Sequence, residues 1–89
     1  MFSRQDYTKL LAIIEADFKN VDSQTAFSLC RELSLIYAKY MLDIPQPNIP
    51  DRLRSIIRYT KKTLPMEASD FIAQIEKIIF SLENPLQES

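Results

Sequence analysis

The sequence contains no glycine and no histidine, and it has one cysteine in 89 residues. Without glycine, tight hairpin turns that need positive φ and glycine-rich phosphate cradles are both disfavoured. Without histidine, the commonest general base and the commonest zinc ligand are missing. A lone cysteine does not make up a zinc site, so neither a metal nor a cofactor is expected. Cys30 cannot close an intrachain disulfide. It falls in an apolar periodic stretch, where it reads as a small core residue rather than a nucleophile, and a reducing compartment fits it best. No apolar run approaches the roughly 18 residues of a membrane span. The amino-terminal segment MFSRQDYTKLLAII carries Asp6 and Glu15 and no small-residue cleavage site, so no signal peptide is read there. A cytoplasmic location is the expectation.

What is present is enough apolar material for one core. Hydrophobic residues make up 46% of the chain, ordinary for a folded protein and too many for a disordered tail. The length allows one domain, near the lower end of what folds alone. Four apolar periodic segments follow one another. Ser3 is a candidate N-cap with Asp6 in a capping box, and Phe2 and Tyr7 are placed as a hydrophobic staple. Tyr7, Leu10, Leu11, Ile14 and Phe18 then share one helical face, predicting a helix over about 4–19, with Asn20 as a left-handed stop. Asp22 or Ser23 can cap a second helix over about 23–42, with Ala26, Leu29, Cys30, Leu33, Tyr37 and Met41 on its stripe. Phe27, Ile36 and Tyr40 broaden that stripe, as in a helix that touches more than one neighbour. The Tyr37–Tyr40 pair reads as core edge rather than as a ligand platform.

The segment DIPQPNIP, residues 43–50, breaks the pattern, since proline stops a helix and biases its preceding residue toward extended conformations. It reads as a stiff loop between two helical hairpins. Asn48 can cap a third helix over about 50–63, with Leu53, Ile56, Ile57 and Leu64 as its apolar positions. Pro65 suits the first turn of a fourth helix over about 65–82, where Ala68, Phe71, Ile72, Ile75, Ile78, Ile79 and Leu82 form the stripe. Asn84-Pro85 ends it, leaving residues 84–89 as a frayed tail. No segment alternates with the period of a strand. The expected fold is all-α, an antiparallel four-helix bundle.

Charge is close to balanced overall, at −1, but unevenly placed. Residues 49–64 hold Arg52, Arg54, Arg58, Lys61 and Lys62 against Asp51, whereas residues 65–89 hold Lys77 against Glu67, Asp70, Glu76, Glu83 and Glu88. Arg54, Arg58, Lys61 and Lys62 share the outer face of the third helix and form the candidate partner-binding surface. The plainer reading sets basic helix 3 beside acidic helix 4, where exposed pairs contribute about 0–1 kcal/mol each. Nucleic acid is disfavoured by a pI near 5.3 and by the absence of interleaved aromatics other than Tyr59. A weak contact with anionic lipid headgroups, about 1 kcal/mol per basic residue, is open to the same face. The helical carboxylates Glu15, Asp17, Glu32, Asp70 and Glu76 sit off the apolar stripes, so no catalytic site is assigned and no enzyme is expected.

From Leu29 to Ile79, rather more than half the chain, the sequence resembles the enterocin A-type immunity proteins, which protect producers of pediocin-like bacteriocins. The likeness lies in ELSLIYAKYM of helix 2, the proline-bearing loop, IPDRLRSIIRYTKKT of helix 3 and LPMEASDFIAQIEKI opening helix 4. It implies a cytosolic antiparallel four-helix bundle without enzymatic activity, acting on a membrane sugar-permease receptor complex. It also implies that the carboxyl-terminal half, with Arg54, Arg58, Lys61 and Lys62 and the tail from Glu83, commonly determines which bacteriocin is countered. Two other readings stand beside it. The broad apolar face of helix 2 suits a helical adaptor or regulatory protein, for instance a homodimer. A DNA-binding regulator using helix 3 would show steep salt dependence.

Overall fold

A computed structural model describes residues 2–43, 48–64 and 67–84. Four helices account for nearly all of them: α1 (Arg4–Ile13, continued by a π turn over Ile14–Phe18), α2 (Ser23–Met41), α3 (Ile49–Thr63) and α4 (Ser69–Glu83). Among the described residues there is no strand.

The ends of these helices follow from short polar side chains. Ser3 caps α1 by accepting from the Asp6 amide at 3.1 Å, while its own amide donates to the Asp6 carboxylate at 3.4 Å. The box is complete, and Phe2 closes it from outside by meeting the Tyr7 ring edge-on at 6.4 Å. Asp22 caps α2, its carboxylate accepting from the Thr25 amide at 3.2 Å and the Thr25 hydroxyl at 2.7 Å.

Other boundaries depart from the sequence expectation. Asn20 does not adopt the left-handed stop; among the described residues only Asp43 and Asn48 have positive φ. Helix α1 instead ends in a widened turn, with the Lys19 amide donating to Ile14 at 3.1 Å. The wider turn buries both Ile14 and Phe18 while Glu15, Ala16 and Asp17 face solvent. Asn48 occupies the cap position of α3 but makes no side-chain cap bond, because at φ 70° it is left-handed rather than extended. In a chain without glycine, Asp43 and Asn48 supply the left-handed residues on either side of the proline loop.

Helix α4 begins at Ser69, later than the start at Pro65 that the sequence suggested. Leu64 is extended at ψ 136° and Ala68 is non-helical, and both are buried. Residues preceding proline favour the extended region, and burial of Leu64 and Ala68 holds the connection against the core. Residues 44–47, Pro65, Met66 and the tail from residue 85 lie outside the described residues.

Pairs of contacts fix the helix directions. Tyr7 near the start of α1 stacks on Tyr37 near the end of α2, with ring centroids 4.4 Å apart. Asp6 receives a bond from Gln74 at 3.1 Å, whereas Phe18 meets the earlier Phe71 edge-on at 5.0 Å. Arg52 at the start of α3 bonds Glu32 of α2, and Arg54 bonds Glu83 at the end of α4. Sequence neighbours therefore run antiparallel, and α4 closes the bundle against both α1 and α3.

The core between them holds Leu10, Ile14, Phe18, Leu29, Leu33, Ile36, Leu53, Ile56, Phe71, Ile75 and Ile78. At one end Phe2 is enclosed by Tyr37 and Tyr40, with Tyr7 completing the cluster, so the tyrosine pair is core edge. The expected stripe of α2 holds except at Phe27 and Met41, which point outward at 69% and 59% exposure. Among the described residues no helix is long and apolar enough to cross a membrane.

Candidate functional site

The basic face of α3 is built by an ordinary amphipathic helix. Leu53, Ile56 and Thr60 turn inward, and the Thr60 hydroxyl satisfies itself by donating to the Ile56 carbonyl at 2.8 Å. The opposite side then carries Arg54, Arg58, Lys61 and Lys62. The last two fall in the final turn, where positive charge meets the negative end of the helix dipole.

These four side chains are not equivalent. Arg54 is half-buried and engaged inside the molecule, donating to Glu83 at 2.6 Å and to Asp51 at 3.0 Å. The bond to Glu83, reinforced by Asp51, raises its already high pKa further. It ties the start of α3 to the end of α4. Arg58 donates to the Ser55 hydroxyl at 2.9 Å and otherwise faces solvent. Lys61 and Lys62 are exposed and form no ion pair with another described residue. Lys61 borders a shallow hollow with Glu67, Ser69, Ile72 and Glu76 of the α3–α4 junction, so basic and acidic helices do lie side by side. The face divides into an anchored arginine and an exposed trio beyond it.

Two features escaped the sequence. The first is a cleft of about 430 Å³ between α2 and α3, floored by Leu29 and Ile56 and edged by Ser28, Ser55 and Tyr59. The Glu32–Arg52 ion pair, at 3.0 Å, spans it. The second is an apolar strip on the outward side of α2: Phe27 at 69%, Leu35 at 43%, Met41 at 59% and Leu42 at 71% exposure. A signal for the strip was available, because Leu35 and Leu42 fall off the Leu29–Leu33–Ile36 stripe and leave α2 apolar on two sides.

Cys30 is half-buried, and burial, with Glu15 adding repulsion, pushes its thiol pKa up. A raised pKa suppresses the thiolate, so the environment does not activate it. Among the described residues no group of three histidine, cysteine or acidic side chains is arranged to hold a metal ion. Compared with family models, with curated proteins and with solved structures, the chain gives no match.

Proposed function

We propose that the chain is a non-enzymatic binding protein of the bacteriocin-immunity type, which engages a membrane receptor complex from the cytosolic side. Its working surface is the far end of α3, where Arg58, Lys61 and Lys62 are presented on a rigid helix. The observation that carries the proposal is the division of the basic face. Arg54 is consumed by Glu83 and Asp51, whereas Lys61 and Lys62 are exposed with no ion-pair partner among the described residues. Arg54 is committed to the bundle by Glu83 and Asp51, whereas Lys61 and Lys62, which also complement the dipole at the end of α3, keep their ammonium groups open to a partner. The resemblance read from the sequence implies a specificity role for the same half of the chain, which supports this choice of surface. Occupancy of the receptor complex, rather than chemistry, is then the mechanism.

The test is protection. The chain is expressed in a sensitive lactic-type bacterium and challenged with a panel of pediocin-like peptides. Survival against at least one is expected. Combined Arg58→Gln, Lys61→Gln and Lys62→Gln should abolish that survival while circular dichroism shows helicity retained. No protection against any peptide would end the proposal.

A further inference from the structure

Helices α2 and α3 stand apart along one edge of the bundle, and the hollow of about 430 Å³ between them opens to solvent above Leu29 and Ile56. Its wall on the α2 side follows Ser28, Glu32, Leu35 and Lys39, which share one helical face. On the α3 side the wall follows Arg52, Ser55, Tyr59 and Lys62, again at helical spacing. We infer that this groove is the seat of an acidic amphipathic helix of a partner protein. An apolar side chain of that helix rests on Leu29 and Ile56, and its carboxylates reach Lys39 at one end and Lys62 at the other. The inference deepens the proposed function by naming the partner's chemistry, and it rests on the reading of the chain as a binding protein.

Charge selects an acidic occupant. Because the helices run antiparallel and each ends in lysine, the groove carries a cation at either end. Lys39 and Lys62 complement their helix dipoles, and neither forms an ion pair with another described residue. Arg58, one turn before Lys62, donates to the Ser55 hydroxyl rather than to a carboxylate. The carboxylates of α2 and α3 are Glu32 and Asp51, and Arg52 and Arg54 bridge them at 3.0 Å each. Helices α1 and α4 carry more acidic than basic residues, so the cationic surplus belongs to the α2–α3 edge. Shape selects a helix rather than a bilayer. The cations stand on two walls of a concavity, and a flat surface touching both would leave Leu29 and Ile56 uncovered. With Glu32 level with Arg52, the helical rise sets Lys39 and Lys62 about 25 Å apart along the groove, the length of about 17 residues of helix. An amphipathic helix enters such a groove by its apolar face, and Leu35 and Tyr59, at 43% and 42% exposure, extend the surface it would cover.

The probes are helical peptides of about 18 residues with one apolar seam flanked by glutamates, bearing leucine, isoleucine, phenylalanine or methionine at the centre. They are titrated into the isotope-labelled full chain, with amide chemical shifts as the readout. At least one should bind with a dissociation constant on the order of 10–100 μM, weaken with added salt, and shift Ser28, Glu32, Ser55 and Tyr59 most. The same peptides with lysine in place of glutamate should not bind. Combined Lys39→Gln and Lys62→Gln should weaken binding about tenfold. Ser28→Trp, which fills the hollow from an exposed position, should do so at least as much, both variants retaining helicity. Lys9→Gln with Lys77→Gln, on the opposite α1–α4 edge, should leave binding within about twofold. Failure of every peptide to bind overturns the inference. So does binding indifferent to both groove variants, or attachment of phosphatidylglycerol vesicles through Lys39 and Lys62 in place of the peptides. A chain that protects cells yet binds no peptide loses this inference alone; one that binds the peptides yet protects no cell loses the immunity reading alone.

Discussion

Ser3 and Asp22 each do the same work at opposite ends of the first hairpin, giving an amide at a helix start an oxygen it would otherwise lack. Replacing Ser3 with alanine leaves the Asp6 amide without that acceptor and should lower stability by about 1 kcal/mol, read from urea unfolding. Asp22 adds a pH dependence. The bond from the Thr25 hydroxyl, then the one from its amide, holds the carboxyl below its usual 3.8. A depressed acid stabilises the fold while ionised, so its contribution is present at neutral pH and falls away as pH drops below the usual value toward the folded one. Asp22→Asn should retain a cap at pH 7 and flatten the acid limb of the stability curve; an unchanged limb would count against the assignment. Thr60 presents a different case. Its buried hydroxyl serves a carbonyl of its own helix, so Thr60→Val should change stability by less than about 1 kcal/mol.

At the scale of elements, the hairpins are held together mainly by aromatic and aliphatic contacts. Phe71 is fully buried and meets Phe18 edge-on, joining α4 to the π turn that ends α1. Phe71→Ala should cost about 3–5 kcal/mol, a large share of the stability of so small a bundle, and calorimetry should show a depressed or absent transition. Ion pairs between helices contribute far less. The Glu32–Arg52 pair is bridged at 3.0 Å but both side chains are only half-buried, at 43% and 38% exposure, so a double-mutant cycle should give a coupling of about 1 kcal/mol or less. Its larger effect is positional, because it spans the cleft where α2 and α3 stand apart above Leu29 and Ile56.

For the whole molecule, the outward end of α3 carries the functional prediction. Substitutions at Arg58, Lys61 and Lys62 should affect protection without altering the thermal unfolding of the bundle. The helices and most of their inward residues were legible before any coordinates, because periodicity and capping are local properties. Leu10, Ile14 and Phe18 recur at helical spacing, and Ser3 stands three residues before Asp6. Local spacing could not decide which of the apolar sides of α2 turns inward. That depended on the stripes of α1, α3 and α4 closing around Leu29, Leu33 and Ile36, which left Phe27 and Met41 outside. Nor could it separate Arg54 from its neighbours on α3, since the partner that claims it, Glu83, lies 29 residues further along the chain. Composition and spacing alone determined an all-helical chain with one core, because burial of an apolar stripe needs only its own helix to define it. The assignment of each outward group to the fold or to solvent was left to tertiary packing, because a charge or an apolar side chain is spent only when another helix arrives beside it.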